Sequence, residues 1–205
     1  MDLVVSLGGL VVLSPILAAA AAIVWMSMGR PVIFRQTRPG RFGRPFVLYK
    51  FRTMSNRCDA SGAHLADGVR LTGVGRLLRN TSVDELPQLI NVLRGEMSLV
   101  GPRPLLMEYL PLYTPEQAER HRMKPGITGW TGVNGRNLLT WEEKFEMDRW
   151  YVHNWSILLD LRIIFLSVGT VLRGRGVSQA GHATTERFRG SSPRAAAGKE
   201  AVSPG

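Results

Sequence analysis

Cysteine is almost missing from this sequence, which has Cys58 alone among 205 residues. A single cysteine excludes any disulfide within the chain, and Cys58 has no Cys or His partner at metal-binding spacing. Both observations indicate a protein of a reducing compartment, in which Cys58 has no expected role. A chain of this length has room for one domain together with an anchor or a tail.

Acidic residues are also few: 16 Asp and Glu face 26 Lys and Arg, which gives a formal net charge of +10. Such an excess predicts an anionic partner, either nucleic acid, anionic lipid or a phosphorylated substrate. The sequence contains no helix-turn-helix, zinc-finger or RNP signature, so we expect no nucleic-acid partner.

Several motifs of familiar enzymes are absent as well. The glycine-rich stretches fit neither a P-loop nor a dinucleotide fingerprint, and no Gly-x-Ser-x-Gly nucleophile elbow occurs. The four histidines form no metal-binding motif. The sequence therefore does not indicate a P-loop nucleotide-binding protein, a dinucleotide-binding enzyme or a serine hydrolase.

Charge is missing altogether from Leu3 to Met28, a stretch of 26 residues. As a helix it would reach about 39 Å, enough to cross a bilayer core. A cleaved signal peptide would need a basic start and a shorter apolar stretch, whereas only Met1 and Asp2 precede this one. The segment is predicted to be a membrane anchor.

Ser14 and Pro15 interrupt the middle of this anchor. Pro15 removes one helical hydrogen bond, for which the Ser14 hydroxyl could substitute, and the break is compatible with a kinked spanning helix or a re-entrant hairpin. Five arginines follow immediately, and no acidic residue occurs until Asp59, so the positive-inside rule puts the rest of the chain in the cytoplasm. They are Arg30, Arg35, Arg38, Arg41 and Arg44.

A second apolar run extends from Trp155 to Leu172 but includes Asp160 and Arg162. Each charge costs about 2.5–3.5 kcal/mol near the centre of a membrane helix. This run is therefore interpreted as a core or interfacial helix rather than a second span.

Elsewhere the sequence predicts short helices, one small β-hairpin and loops. The hairpin includes 45–54, and 55–70 and 125–137 are expected to be loops. Helices are expected over 74–79, 82–93, 115–123 and 141–155, with Thr114 and Thr140 as N-caps. The residues from Gly190 onward lack large apolar side chains and are predicted to be disordered.

Asp84 and Glu85 stand side by side at the start of the 82–93 helix. The simplest interpretation is structural, because Ser82 and Glu85 have the spacing of a capping box and acidic residues suit a helix N-terminus. The alternative is a phosphate-handling site. Basic residues that could hold phosphate are dispersed along the chain, although each alone is more often a surface charge or a lipid contact: Lys50, Arg52, Arg79, Arg103 and Arg136.

Six sequence blocks, in order and spacing, resemble the monotopic phosphoglycosyl transferases of bacteria, also called the bacterial sugar transferase family. The blocks are VIFRQTRPG (32–40), YKFRTM (49–54), DELPQLINVLRGEMSLVGPRP (84–104), PGITGW (125–130), VNGRN (133–137) and LLDLRI (158–163). The resemblance extends from Asp2 to about Arg189. PRPLLMEYLPLY and GVSQAGHATTERF are most similar to the small diacetylbacillosamine phosphate transferases, which begin protein glycosylation.

The resemblance implies an α+β, mainly helical, monotopic membrane protein. Residues 1–29 would be a re-entrant membrane helix broken at Ser14-Pro15, and 30–189 a catalytic domain with a small β-hairpin. This domain would lie on the cytoplasmic face of the bacterial inner membrane, followed by a disordered tail over 190–205.

The resemblance also implies a reaction: transfer of a phosphosugar from a UDP-sugar to polyprenyl (undecaprenyl) phosphate, with release of UMP and with Mg²⁺ as cofactor. The donor would be N-acetylated, as in UDP-diacetylbacillosamine, and downstream glycosyltransferases would be possible partners. Asp84 would be the nucleophile of a ping-pong mechanism, and Glu85 with Asp84 would hold the metal. Lys50, Arg52, Arg79, Arg103, Arg136 and Asp160 would complete the substrate site.

Two other kinds of protein are weighed against this interpretation. A glycoside hydrolase needs carboxyl groups on opposite sides of the sugar, about 5–9.5 Å apart, which adjacent residues at one helix end do not supply. A non-catalytic, basic, membrane-bound module that recruits anionic lipid or partners is the alternative that stays open. It predicts that Asp84→Asn leaves the protein's activity unchanged.

Overall fold

The computed structural model describes residues 1–63, 65–135, 138–173 and 187–191. The fold is α+β and mainly helical, as predicted. Its α-helices are α1 (Asp2–Val12), α2 (Ser14–Met28), α3 (Asp67–Arg70), α4 (Gly73–Asn80), α5 (Leu89–Leu93), α6 (Pro115–Ala118), α7 (Trp130–Val133), α8 (Trp141–His153) and α9 (Ile157–Arg173). The strands are β1 (Ile33–Pro39), β2 (Pro45–Phe51), β3 (Ser98–Val100) and β4 (Gly126–Thr128). Short 3-10 helices occupy Arg41–Gly43, Val83–Gln88, Met107–Leu112 and Glu119–Arg122.

The apolar N-terminal segment is two helices, α1 and α2, which meet at an angle of 62°. Pro15 has no N–H to donate to the Val11 carbonyl one turn earlier, and the Ser14 hydroxyl donates to that carbonyl instead, at 2.8 Å. Among the described residues no single helix is long and apolar enough to cross a membrane. Taken together, the two helices of the bent pair have the length and the apolar composition of a membrane segment.

Both helices of this bent pair contact the rest of the molecule. At the start of α1, the Ser98 hydroxyl donates to the Asp2 carboxylate at 2.7 Å. On α2, Ala20 and Val24 are buried in an apolar cluster with residues of β2 and α4. Much of the remaining surface of α1 and α2 is apolar and exposed.

The predicted hairpin is confirmed, and both of its strands are now defined. β1 and β2 pair antiparallel, from Ile33 opposite Phe51 to Pro39 opposite Pro45. Asn91 attaches α5 to β2, because its fully buried amide accepts from the Tyr49 N–H at 3.1 Å and donates to the Val47 carbonyl at 2.7 Å. The hairpin therefore fixes the position of the chain that follows Asp84 and Glu85.

A second sheet was missed by the sequence analysis. β3 and β4 pair parallel, and β4 and α7 lie in the stretch predicted to be a glycine-rich loop. Three-residue strands give almost no periodicity to read, which explains the error. The pairing needs glycine, because a Cβ on Gly126 would collide with the backbone of Gly101.

The helix predictions over 74–79, 115–123 and 141–155 are confirmed in position. α6 and α8 begin with capping boxes in which the Thr114 and Thr140 hydroxyls accept from the N–H groups of Gln117 and Glu143. The 115–123 helix continues after α6 as a 3-10 turn. Inside the predicted 55–70 loop, α3 forms one short turn.

The second apolar run forms α9, which packs one face on the domain and leaves another exposed. Ile163 is completely buried against Val100 and Tyr151, whereas Leu158 and Phe165 are 79% and 80% exposed. Near the C-terminus, Phe188 is buried in an aromatic cluster that includes Tyr109, Tyr113, Trp141 and Phe145. The predicted disordered tail lies, from residue 192 onward, outside the described residues.

The contact of α4 with the end of β2 gives a first testable prediction. A Cβ on Gly75 would overlap the Thr53 carbonyl, whereas nothing lies within 4 Å of a Cβ on Gly73 in the same helix. We expect Gly75→Ala to lower the free energy of unfolding by about 1–3 kcal/mol or more, because backbone must move. Gly73→Ala is the matched control, and denaturant unfolding of both variants is the measurement. Equal effects would show that α4 and the backbone at Thr53 can move apart at no cost.

Candidate active site

The chain that carries Asp84 and Glu85 does not begin with the predicted capping box. Ser82 has a left-handed backbone (φ 56°) and its side chain makes no cap hydrogen bond. Val83–Gln88 is a 3-10 helix that contains Pro87 and is followed by α5, instead of one regular helix over 82–93. The capping-box prediction was wrong because the Glu85 carboxylate binds two cations instead of the Ser82 N–H.

Those two cations are Lys50 and Arg103, which come from β2 and from the loop after β3. Glu85 Oε1 accepts from Lys50 Nζ at 2.7 Å and from Arg103 Nη2 at 2.5 Å. Burial alone would raise the pKa of Glu85, but the two cations outweigh it and hold that pKa well below its usual range. Glu85 is therefore ionised, with one cation on the domain side and the more exposed Arg103 toward solvent.

Asp84 is in a different electrostatic situation from its neighbour. It is 7% exposed, and its carboxylate has no hydrogen bond or ion pair among the described residues. Burial and the adjacent Glu85 charge raise the pKa of Asp84 to about 6, against the opposing effect of Lys50, Arg103 and Arg79. At neutral pH the carboxylate is mostly ionised and remains available to a ligand.

Arg79 approaches the same site from α4. Its Nε donates to the Thr53 hydroxyl at 3.1 Å, and its charge partly opposes the rise in the pKa of Asp84, after the larger effects of Lys50 and Arg103. Lys50, Arg79 and Arg103 thus surround the two carboxylates. The structure brings together five of the residues singled out from the sequence, although they are up to 53 positions apart.

A buried ion pair that the sequence analysis missed supports Arg103 from behind. The Arg120 guanidinium donates to the Arg103 carbonyl and to the Asp148 carboxylate, both at 2.7 Å. The side chains of Arg120 and Asp148 are only 3% and 4% exposed. Nothing in their spacing, on two separate helical segments, could have indicated this pair.

The structure places Arg52 and Asp160 outside the cluster around Glu85. Arg52 is 7% exposed and donates to the carbonyls of Met28 and Arg30, where α2 joins the domain. The Asp160 carboxylate accepts from the Tyr151 hydroxyl at 2.6 Å and from the Trp155 indole at 3.1 Å, so it is a buried partner of aromatic side chains. Arg136 lies outside the described residues.

The donor atoms present suit Mg²⁺. Within the described ranges no group of three His, Cys, Asp or Glu side chains could enclose an ion. Mg²⁺ needs less than that, because it is commonly held by one or two carboxylates together with substrate phosphates and water. The Asp84 carboxylate, which has no ion pair among the described residues, and Glu85 Oε2, which accepts only a long hydrogen bond of 3.4 Å from Arg103 Nη1, form such a set. The residues therefore fit the metal that the resemblance implies.

Comparison with known proteins agrees with the family resemblance seen in the sequence blocks. The family model described as "Bacterial sugar transferase" matches residues 1–174. The chain is 59% identical over 178 residues to the uncharacterized sugar transferase EpsL of Bacillus subtilis, covering 87% of this chain and 88% of that protein.

Two larger relatives carry names that state a reaction. The UDP-glucose:undecaprenyl-phosphate glucose-1-phosphate transferase of Escherichia coli is 43% identical over 179 residues. The UDP-N-acetylgalactosamine-undecaprenyl-phosphate N-acetylgalactosaminephosphotransferase of Aeromonas hydrophila is 37% identical over 184 residues. The matches cover 82% and 86% of this chain but only 38% and 44% of those proteins.

Proposed function

The chain belongs to the bacterial sugar transferase family, and we propose that it transfers a phosphosugar from a UDP-sugar to undecaprenyl phosphate or a similar polyprenyl phosphate. The products would be polyprenyl-diphosphate-sugar and UMP. The observation that carries this proposal is a buried Asp84 carboxylate, without an ion pair to any described residue, beside a Glu85 carboxylate held by two cations. The named relatives above use this class of donor and acceptor.

In the first step, an Asp84 oxygen attacks the β-phosphorus of the UDP-sugar. A bond from that oxygen to phosphorus forms, the bond from phosphorus to the oxygen shared with the α-phosphate breaks, and UMP leaves with that oxygen. Asp84 suits this role because its carboxylate is ionised at neutral pH and is not already engaged by a cation. The product of the step is a mixed anhydride between Asp84 and the phosphosugar.

In the second step, an oxygen of the polyprenyl phosphate attacks the same phosphorus and the Asp84 carboxylate is released. The two substrates thus react in turn, and the kinetics should be ping-pong. Lys50, Arg79 and Arg103 lie where they can hold substrate phosphates, with the planar arginine groups suited to bidentate contacts. Mg²⁺ held by Asp84 and Glu85 would offset the charge of the diphosphate.

The N-terminal helix pair is proposed to enter the membrane as a re-entrant hairpin. Its first residue, Asp2, and its last, Met28, both bind the same domain, through Ser98 and Arg52. A spanning helix would instead leave its two ends on opposite sides of the bilayer. The arginines that follow α2 indicate the cytoplasmic face.

The sugar is the part of the proposal that the fold determines least. The relatives named above act on UDP-glucose and UDP-N-acetylgalactosamine, and the subgroup motifs in the sequence suggest a diacetylated donor. We include all three in the test, and we place the enzyme at the start of a glycoconjugate pathway, upstream of glycosyltransferases that extend the lipid-linked sugar.

The test is intact-mass spectrometry of the detergent-purified protein, with Mg²⁺ and each UDP-sugar but without lipid acceptor. A mass increase equal to one phosphosugar is expected with the correct donor, because the first step can proceed alone. Asp84→Asn should show no increase. If wild type gains no mass with any donor and releases no UMP when acceptor is added, the basic membrane-module alternative is favoured.

A further inference from the structure

A pocket of about 580 Å³ opens where the end of α2 meets the domain, beside the catalytic cluster rather than within it. Its walls come from the end of α2, the residues after β2, and α3 with the link that joins it to α4. Thr72, which lines the pocket, donates to the Thr53 carbonyl, and the Thr53 hydroxyl in turn accepts from Arg79. Thr53 therefore lies between the pocket and the catalytic cluster and contacts a residue of each.

The pocket is strongly cationic on one side. Arg30, Arg52 and Arg57 line it, and none of the other described residues that line it is acidic. Arg30 and Arg57 are exposed and have no salt bridge among the described residues. The pocket is larger than inorganic phosphate requires and lies in the size range of organic ligands.

Arg52 is the most informative of the three. Its side chain is almost completely buried, yet its hydrogen-bond partners are two neutral carbonyls, and its Nε has no partner in the part of the chain that the structure describes. A buried charge without a counter-charge is costly. An anion in the adjoining pocket would supply the missing negative charge.

The other side of the pocket is apolar and continues onto the helix pair. Met28, Val69 and Leu71 line it. One turn earlier on α2, Trp25 and Met26 are 56% and 74% exposed, and Trp is typical of membrane–water interfaces. A ligand that fits both sides has an anionic head and a hydrocarbon chain.

We propose that this pocket binds the phosphate head of a membrane lipid, with Arg30, Arg52 and Arg57 around the phosphate and the chain following α2 into the bilayer. The proposal rests on the membrane insertion of α1 and α2 given under the proposed function. The lipid is either the polyprenyl phosphate acceptor, held before it reaches Asp84, or an anionic phospholipid of the bilayer.

The test measures lipid retention by native mass spectrometry of the full chain in detergent. The probes are farnesyl phosphate and phosphatidylglycerol, with farnesol and phosphatidylcholine as probes without net negative charge. The variant is Arg30→Gln combined with Arg57→Gln, which keeps the buried Arg52. The control is Arg44→Gln combined with Arg122→Gln, which removes two exposed positive charges away from the pocket.

We expect the pocket variant to lose retention of a phosphate probe roughly tenfold or more, and the control variant to retain it. Loss for farnesyl phosphate alone identifies the acceptor as the ligand, and loss for phosphatidylglycerol identifies the bulk lipid. Equal retention by wild type and pocket variant, or equal loss in the control variant, overturns the proposal. Because no donor is present, the result can be read even if phosphosugar transfer fails.

Discussion

Asp84→Asn is expected to reduce UMP release by at least about a thousandfold, the scale on which losing a covalent nucleophile reduces turnover. An amide has nearly the shape of the carboxylate but cannot form the mixed anhydride. The measurement is the initial rate of UMP release with Mg²⁺, the UDP-sugar identified by intact mass and polyprenyl phosphate. Thermal stability at neutral pH should be retained or raised, because burial and the Glu85 charge disfavour the ionised Asp84 carboxylate that this variant removes.

The matched control for this variant is Asp59→Asn. Asp59 is an exposed carboxylate that accepts from Ser61 and Ala63 in a surface loop, and the Asn side chain keeps an accepting oxygen. We expect this control to retain the wild-type rate. UMP release by Asp84→Asn at a rate near that of wild type would exclude Asp84 as the nucleophile, whatever the effect of Asp59→Asn.

The second large effect is expected at the buried pair behind Arg103. Asp148→Asn leaves the Arg120 guanidinium buried without a counter-charge, which should lower the free energy of unfolding by about 3–5 kcal/mol. It should also loosen the Arg103 carbonyl, which shares the same guanidinium. We therefore expect weaker binding of the UDP-sugar in addition to lower stability, measured by denaturant unfolding and by donor KM.

An exposed ion pair in the same region provides the comparison. Glu119 and His153 approach to 2.8 Å but are 32% and 49% exposed, so Glu119→Gln should cost about 1 kcal/mol or less. Combining Asp148→Leu with Arg120→Met should recover part of the stability lost in Asp148→Asn, because no charge is then left buried. Equal small losses for Asp148→Asn and Glu119→Gln would mean that water reaches the Arg120 pair.

The sequence predicted those parts of the fold that depend on local patterns. The caps of α6 and α8, the β1–β2 hairpin and the role of the Ser14 hydroxyl follow from neighbouring residues. The predictions that failed concern contacts between residues distant in the sequence. The Glu85 side chain forms no local cap because it binds Lys50 and Arg103, which come from other elements. The β3–β4 pairing was missed because each strand has only three residues and its partner is distant in the sequence.

The candidate site shows the same division. Residue type indicated Asp84, Glu85, Lys50, Arg79 and Arg103, and the fold brings these together. Residue type could not show that two other charged residues have different partners: Arg52 binds backbone carbonyls, and Asp160 binds aromatic side chains. Nor could it show that Arg120 and Asp148 hold the Arg103 loop in place, since buried pairs are determined by packing.

Val83, directly before Asp84, packs against the apolar cluster that includes Ala20 and Val24 of α2. If α2 enters the bilayer and Asp84 is the nucleophile, as proposed, the height of the Asp84 carboxylate above the membrane would be fixed by side-chain packing and not by a flexible tether. A lipid-linked phosphate cannot move far from its own interface. The carboxylate and the lipid phosphate would then meet at one fixed depth relative to the membrane surface.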